Sequence, residues 1–246
     1  GSNENPGKIP FHKRILRNQW DSYREWMHHT GYPGGCDQRD GDLKKLTGRK
    51  SSFNVEQESN QKFEKVIIWM PTFRKLRSGE RIDSNVELTM GVPILKNNED
   101  FCKLDEKLAS KKVLLVIKIH PMQDTSKIRI RSTNNIVVLD GNTVKELGID
   151  NYRLMVDTDA MITDYSSSGT DYLQTQNPLA YTLSDMNEYK LGFIVENIHE
   201  LMPGKKIYSL NDLLIFIDDV VDGRDKYVKE RRVALEKMFK YHDGRS

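Results

Sequence analysis

From Phe63 onward, apolar residues gather in short unbroken runs: Val66–Phe73, Val113–His120, Ile136–Leu139, Ala160–Asp164 and Leu179–Leu183. Runs of that length without polar alternation predict strands buried on both faces. Between them, apolar positions recur at helical spacing, which predicts helices over 98–110, 143–149, 151–157, 168–176, 210–221 and 224–240. Strand and helix in alternation predict an α/β fold, a Rossmann-like doubly wound parallel sheet with right-handed crossovers. Upstream the texture differs. Residues 11–29 place Phe11, Ile15, Leu16, Trp20, Tyr23 and Met27 at helical spacing among basic residues, as in an amphipathic helix. Gly31 to Gly48 is rich in breakers and 49–62 is polar, so the expected division is a helix and linker segment over 1–62 and a nucleotide-binding domain over 63–246.

In such sheets ligands bind beyond the carboxyl ends of the strands, which tells where chemistry is to be sought. After the first run comes Pro71-Thr72-Phe73-Arg74, leading into a basic stretch with Arg77 and Arg81. After the second comes Lys118-Ile119-His120-Pro121, where proline stops the strand and histidine is held at its end. After the fourth comes Thr163-Asp164-Tyr165-Ser166-Ser167-Ser168-Gly169, and after the fifth come Asp185 and Tyr189.

A helix that starts at the serine run leaves its first N–H groups unpaired and favours negative charge there. Small side chains and Gly169 would let a phosphate approach that backbone. The structural alternative is one serine capping the helix while the others fill a turn. Asp171 is expected on the first turn, where a carboxylate complements the helix dipole. Asp164 could orient a loop or accept from a ligand hydroxyl. His12, His28, His29, His199 and His242 lack such placement and read as surface or packing residues. The serines are not in the strand–GxSxG–helix context of a hydrolase nucleophile, which argues against acyl transfer.

Composition narrows the class further. Lys and Arg number 38 against 36 Asp and Glu, a net charge of +2 that gives no ground for a nucleic-acid partner. Cys36 and Cys102 make neither a disulfide framework nor a zinc site, and a reduced, cytoplasmic setting fits them. The apolar runs fall far short of the roughly 20 residues a membrane helix needs. Gly1-Ser2 reads as a cloning scar, and the expectation is that the chain is a fragment.

With these motifs in order, the chain resembles the CDP-glycerol:poly(glycerophosphate) glycerophosphotransferase family of teichoic-acid synthesis. The stretches that carry the likeness are VIIWMPTFR at 66–74, LLVIKIHP at 114–121, MITDYSSSGTDYL at 161–173, NPLAYTLSDMNEY at 177–189, and Pro203-Gly204 ahead of the helix at 210. The resemblance implies the carboxyl-terminal domain of a GT-B-type architecture, which holds a CDP-alcohol donor and faces a second Rossmann-type domain. It implies transfer of an alcohol phosphate, such as glycerol phosphate, to a hydroxyl of a lipid-linked polymer acceptor, with release of CMP. His120 matches one of two active-site histidines, Ser166 and Ser167 fall on the segment that contacts donor phosphates, and Asp171 matches an acidic partner in that motif.

The other histidine belongs to a His-Gly motif, a dipeptide this sequence lacks, so this stretch alone is expected to be inactive. Gly34 follows TGYP at 30–33 where the family pattern has arginine, and Lys190-Leu191-Gly192 stands where Arg-Gly is expected, so Lys190 would supply the cation from a shifted position. The expected donor side therefore comprises Arg74, Lys118, Thr163, Asp164, Ser166, Ser167, Ser168, Gly169, Asp171, Asp185 and Lys190, with His120 as the catalytic group. No cofactor is required by this reading. Mg2+ can accompany a pyrophosphate donor, but the sequence has no dedicated carboxylate cage for it.

A peripheral contact with the inner face of the plasma membrane would suit the helix at 11–29, whose alternative is packing against its own protein. Two other functions use the same sheet: a GT-B glycosyltransferase with a nucleotide sugar, and a non-catalytic nucleotide-binding domain.

Overall fold

A computed structural model describes residues 63–72, 88–121, 123–146, 149, 151–185 and 202–239. The amphipathic stretch at 11–29, the linker that follows it, and Cys36 lie outside the described residues.

The strands are β1 (Lys65–Trp69), β2 (Val113–Lys118), β3 (Ile136–Leu139), β4 (Ala160–Thr163), β5 (Leu179–Thr182) and β6 (Lys205–Ile207). They form one six-stranded sheet in the order β3-β2-β1-β4-β5-β6. Every pairing is parallel. The helices are α1 (Asn98–Ser110), α2 (Gly141–Glu146), α3 (Asn151–Val156), α4 (Ser167–Tyr172), α5 (Leu210–Val221) and α6 (Val228–Met238). This is the doubly wound arrangement the sequence predicts, with the chain reversing direction across the sheet between β1 and β4.

Because successive strand residues face opposite ways, each strand feeds two cores. Trp69, Leu115, Ile117, Ile162 and Ala180 join Phe101, Leu104 and Leu108 of α1 and Leu213, Phe216 and Ile217 of α5 on one face. Ile68, Leu114, Val116, Met161 and Tyr181 join Leu154 and Met155 of α3, Tyr172 of α4 and Ala234 of α6 on the other. Buried on both sides, these strands read as continuous apolar runs rather than alternating ones.

Caps fix where the longer helices begin. The Asn97 side chain accepts from the Asp100 N–H at 2.9 Å ahead of α1. At α5, Ser209 and Asp212 form a reciprocal capping box. The sequence places the last helix at 224, but α6 starts at Val228. The Asp225 carboxylate accepts the Tyr227 N–H at 3.0 Å and holds the intervening residues in a turn. The sequence also misses β6. Its three residues carry two lysines and follow Pro203-Gly204, so no apolar run announces it. A short lysine-bearing strand is nevertheless well suited to the sheet edge it occupies. Gly204 is required there, because a Cβ would lie 2.1 Å from the Leu179 carbonyl oxygen.

At the opposite edge, β3 is closed by its own preceding turn. The Ile136 N–H donates to Thr133 Oγ1 at 3.0 Å and the Val138 N–H to Ser132 Oγ at 3.0 Å. The Thr133 N–H reaches back to the Ile136 carbonyl at 2.8 Å.

Cys102 on α1 corrects an expectation. It is disulfide-bonded, where the sequence predicts reduced thiols. The residue is half-buried rather than sealed in the core. Among the described residues no helix is long and apolar enough to cross a membrane.

Candidate functional site

The connections from β1 and β4 leave the sheet in opposite directions, which opens a crevice beyond their carboxyl ends. Three strand exits border it: Met70-Pro71-Thr72 after β1, Ile119-His120-Pro121 after β2, and Asp164-Tyr165-Ser166 after β4.

The register decides which side chains share a face. Trp69 is paired with Ile117 on one side and with Ile162 on the other. Continuing by one residue places Met70 between Lys118 and Thr163. Thr163 is paired in turn with Tyr181, and Tyr181 with Lys206. Lys118, Thr163 and Tyr181 thus lie in one row on the face that α3, α4 and α6 cover. His120, two residues beyond Lys118, belongs to the same side. Two interstrand spacings, about 10 Å, separate the β2 exit from the β4 exit. The sequence-predicted histidine and serines are therefore brought to one edge and one face of the sheet.

Lys118 is 5% exposed, and burial pushes its ammonium below the usual lysine range. His120 is half-buried. Burial first, and the nearby Lys118 charge second, hold its imidazole below the ordinary histidine value. The Gln123 N–H donates to the His120 carbonyl at 2.9 Å, closing the turn that Pro121 begins.

The serine run divides into separate duties. Ser166 is the N-cap of α4, and its Oγ accepts from the Ser168 N–H at 3.3 Å. Ser168 is buried, with its Oγ 3.0 Å from Ser166 Oγ and 3.2 Å from Thr163 Oγ1. Thr163 Oγ1 donates to the Met70 carbonyl at 2.9 Å and so ties the β4 exit to the β1 exit. Ser167 is exposed. The capping alternative thus accounts for Ser166 and Ser168, and Ser167 presents an outward hydroxyl.

Gly169 serves close packing. A Cβ there would meet Thr163 Cγ2 at 3.0 Å and Tyr181 Cε1 at 3.2 Å, so its absent side chain faces the sheet. The Gly169 N–H is bonded to the Ser166 carbonyl at 3.2 Å. Asp171 is a second correction. It lies beyond the first turn of α4, which holds no acidic residue, so dipole compensation does not explain it. Burial raises its carboxyl above the usual range.

Asp164 is fully buried. One of its oxygens accepts the Thr72 N–H at 2.9 Å, and the other is bonded to Thr72 Oγ1. It therefore orients the chain leaving β1, the first of the two roles the sequence left open. Asp185 is buried as well and accepts from the Tyr165 hydroxyl at 3.4 Å. Sequence reasoning did not single out Thr72 or Tyr165. Their position directly after a strand was the available signal. Arg74, Arg77, Arg81 and Lys190 lie outside the described residues. Among the described residues no group of His, Cys, Asp and Glu side chains could hold a metal ion.

Comparison with known proteins agrees with the motif reading. A teichoic acid ribitol-phosphate polymerase, TarK, of Staphylococcus aureus is 27% identical over 186 residues, covering 75% of this chain and 32% of that protein. A teichoic acid glycerol-phosphate transferase of Staphylococcus aureus is 24% identical over 244 residues, covering 96% of this chain and 56% of that protein. The chain thus spans from about a third to just over half the length of these curated relatives. Among solved structures, the wall teichoic acid polymerase TagF is similar at 17% identity and a TM-score of 0.49, over 92% of this chain and 45% of that one. The profile of the CDP-glycerol:poly(glycerophosphate) glycerophosphotransferase family matches residues 8–246, and the chain belongs to that family.

Proposed function

We infer that this chain is the donor-binding half of a transferase that moves an alcohol phosphate, glycerol phosphate in the simplest case, from a CDP-alcohol to a polymer hydroxyl. One observation supports the reading: the strand register puts Lys118 of β2 and Thr163, which leads into the serine-bearing start of α4, on the same face of the sheet beside the β1–β4 crevice. Family membership supplies the reaction class.

In the reaction, the acceptor oxygen attacks the phosphorus that carries the alcohol. A new P–O bond forms, the P–O bond to the CMP phosphate breaks, and CMP leaves with the bridging oxygen. The acceptor proton passes to a base contributed by the other half of the full-length protein. Catalysis of such a transfer is chiefly positioning and stabilisation of charge on the phosphate oxygens. His120, whose imidazole is held below the ordinary histidine value by burial and by the Lys118 charge, donates its N–H to a phosphate oxygen. The Ser167 hydroxyl and Lys118 face the same group, and Asp164 holds the β1 exit in place through Thr72. Arg74 and Lys190 join as further cations of the donor side. Asp171 and Asp185 border the pocket, Asp185 holding Tyr165 in position. The acceptor is a lipid-linked polymer, reached at the inner face of the plasma membrane.

Incubating the full-length protein with CDP-glycerol and a lipid-linked acceptor and measuring CMP release tests the reaction. A donor panel separates it from the glycosyltransferase reading. CDP-glycerol and CDP-ribitol should raise the melting temperature, and stabilisation by UDP-sugars alone would overturn the proposal.

A further inference from the structure

Among the large apolar side chains exposed in the described residues, the two most exposed are Tyr152 at 64% and Val156 at 65%. Both belong to α3, and a separation of four residues puts them side by side on one face of that helix. Leu154 and Met155 of the same helix are buried in the second core. A helix that is apolar outward as well as inward is normally one that is covered on both sides. Around it the sequence from 141 to 159 is acidic, with Glu146, Asp150, Asp157 and Asp159 against Lys145 and Arg153.

The point where the chain enters the fold shows what lies within reach of that face. The Asp159 carboxylate, three residues past Val156, accepts the Val66 N–H at 2.9 Å and pairs with Lys65 at 3.3 Å. The Asp159 N–H in turn donates to the Val66 carbonyl at 2.8 Å. Phe63, the first described residue, packs against the same core as α3. The preceding chain therefore arrives beside the end of α3. Within it, Leu16, Trp20, Tyr23 and Met27 recur at i, i+4, i+7 and i+11, the spacing of one helical face, and Lys13, Arg17 and Arg24 fall along its border. As a flexible chain, the stretch from 30 to 62 spans on the order of 30 Å, enough to return that face to α3. The charges are complementary: the basic border of one stretch meets the acidic surroundings of the other.

We propose that residues 11–29 dock as a helix on the outer face of α3, with their apolar stripe over Tyr152 and Val156 and their cations toward the surrounding carboxylates. The docked stretch is an intramolecular strap. It fixes the path by which the chain reaches β1, and it withholds the stripe from any other surface while it is seated. This inference is independent of the transferase reading, and each can fail without the other.

Hydrogen exchange read by mass spectrometry on the full 246-residue chain tests it. In wild type, peptides from 11–29 should exchange at least tenfold more slowly than an unfolded chain. Tyr152→Ser/Val156→Ser should abolish that protection while peptides from β1, β2 and β4 keep theirs. Lys13→Glu/Arg17→Glu/Arg24→Glu should release the strap as well, since the reversed charges then face carboxylates. Should the α3 double variant fail to fold, Trp20→Ser/Tyr23→Ser takes its place, and it must speed exchange at 151–156 as well as at 11–29. Exchange of 11–29 at the unfolded-chain rate in wild type overturns the proposal, and so does protection that survives these substitutions. Protection that rises with protein concentration would assign the face to a second copy. Protection that appears only with phosphatidylglycerol vesicles would assign the stripe to a membrane. Either result overturns the strap.

Discussion

Ile117 and Lys118 are neighbours on β2 and face opposite sides of the sheet. Ile117 is fully buried in the core under α1 and α5, in a row with Trp69, Ile162 and Ala180. Lys118 stands beside Leu139 in a row on the other side that passes through Met70, Thr163 and Tyr181 to Lys206. Charged groups around the first face are held by partners, as where Lys107 and Lys111 meet Asp218 between α1 and α5 at 2.7 and 3.2 Å. The second face brings polar groups into the layer itself. One face holds the molecule together, and the other trades part of its cohesion for a place where chemistry can occur.

That contrast can be broken in order of effect. The largest change should follow His120→Ala in the full-length protein, lowering kcat for CMP release by roughly 10²–10⁴-fold with little change in melting. A loss under tenfold would remove His120 from the reaction. On the first face, Ile117→Ala should cost about 2–5 kcal/mol in denaturant unfolding and leave CDP affinity unchanged in the folded fraction. Equal effects on binding and stability would mean that the two rows are not independent.

Smaller effects separate the serines. Ser166→Ala removes the cap of α4 and should cost about 1 kcal/mol. Ser167→Ala, at an exposed position, should change stability by no more than about 0.5 kcal/mol while weakening CDP binding. The reverse pattern would assign donor contact to the cap. The smallest effect concerns pH. With its folded-state value below the ordinary ~6.5, the imidazole of His120 takes up its proton later than in the unfolded chain. Its contribution to stability is complete above that value and declines as pH falls toward the folded value. His120→Gln should therefore lose less stability than wild type on acidification, as read by unfolding midpoints at neutral and acidic pH.

The sheet was legible because burial on both faces leaves unmistakable runs such as Val113–Ile117. The helix over 98–110 was legible because its apolar residues recur at helical spacing, and the Asn97 cap fixes its start where that pattern begins. β6 was not, since three residues with two lysines leave no periodic trace, and only pairing with β5 makes them a strand. The site was half legible. Position after a strand pointed to His120, Lys118, Asp164 and the serines. It could not tell that Asp164 turns inward to Thr72, that Ser168 is spent on Thr163, or that Gly169 faces Tyr181. Those outcomes depend on which neighbour lies across the sheet, and register is not written in a single strand. The placement of Asp171 failed for a plainer reason: α4 starts at Ser167, and its first turn ends before that residue.

The closed margin of β3 has a consequence for how the molecule behaves in company. Ser132 and Thr133 occupy the outward amides of Ile136 and Val138, so a strand from a second molecule finds no donors free to zip onto at that border. For a protein whose inner strands are mostly apolar, this hydroxyl hem is a safeguard against edge-to-edge polymerisation. Replacing both hydroxyl residues by alanine should expose that border and turn a monodisperse solution cloudy on warming.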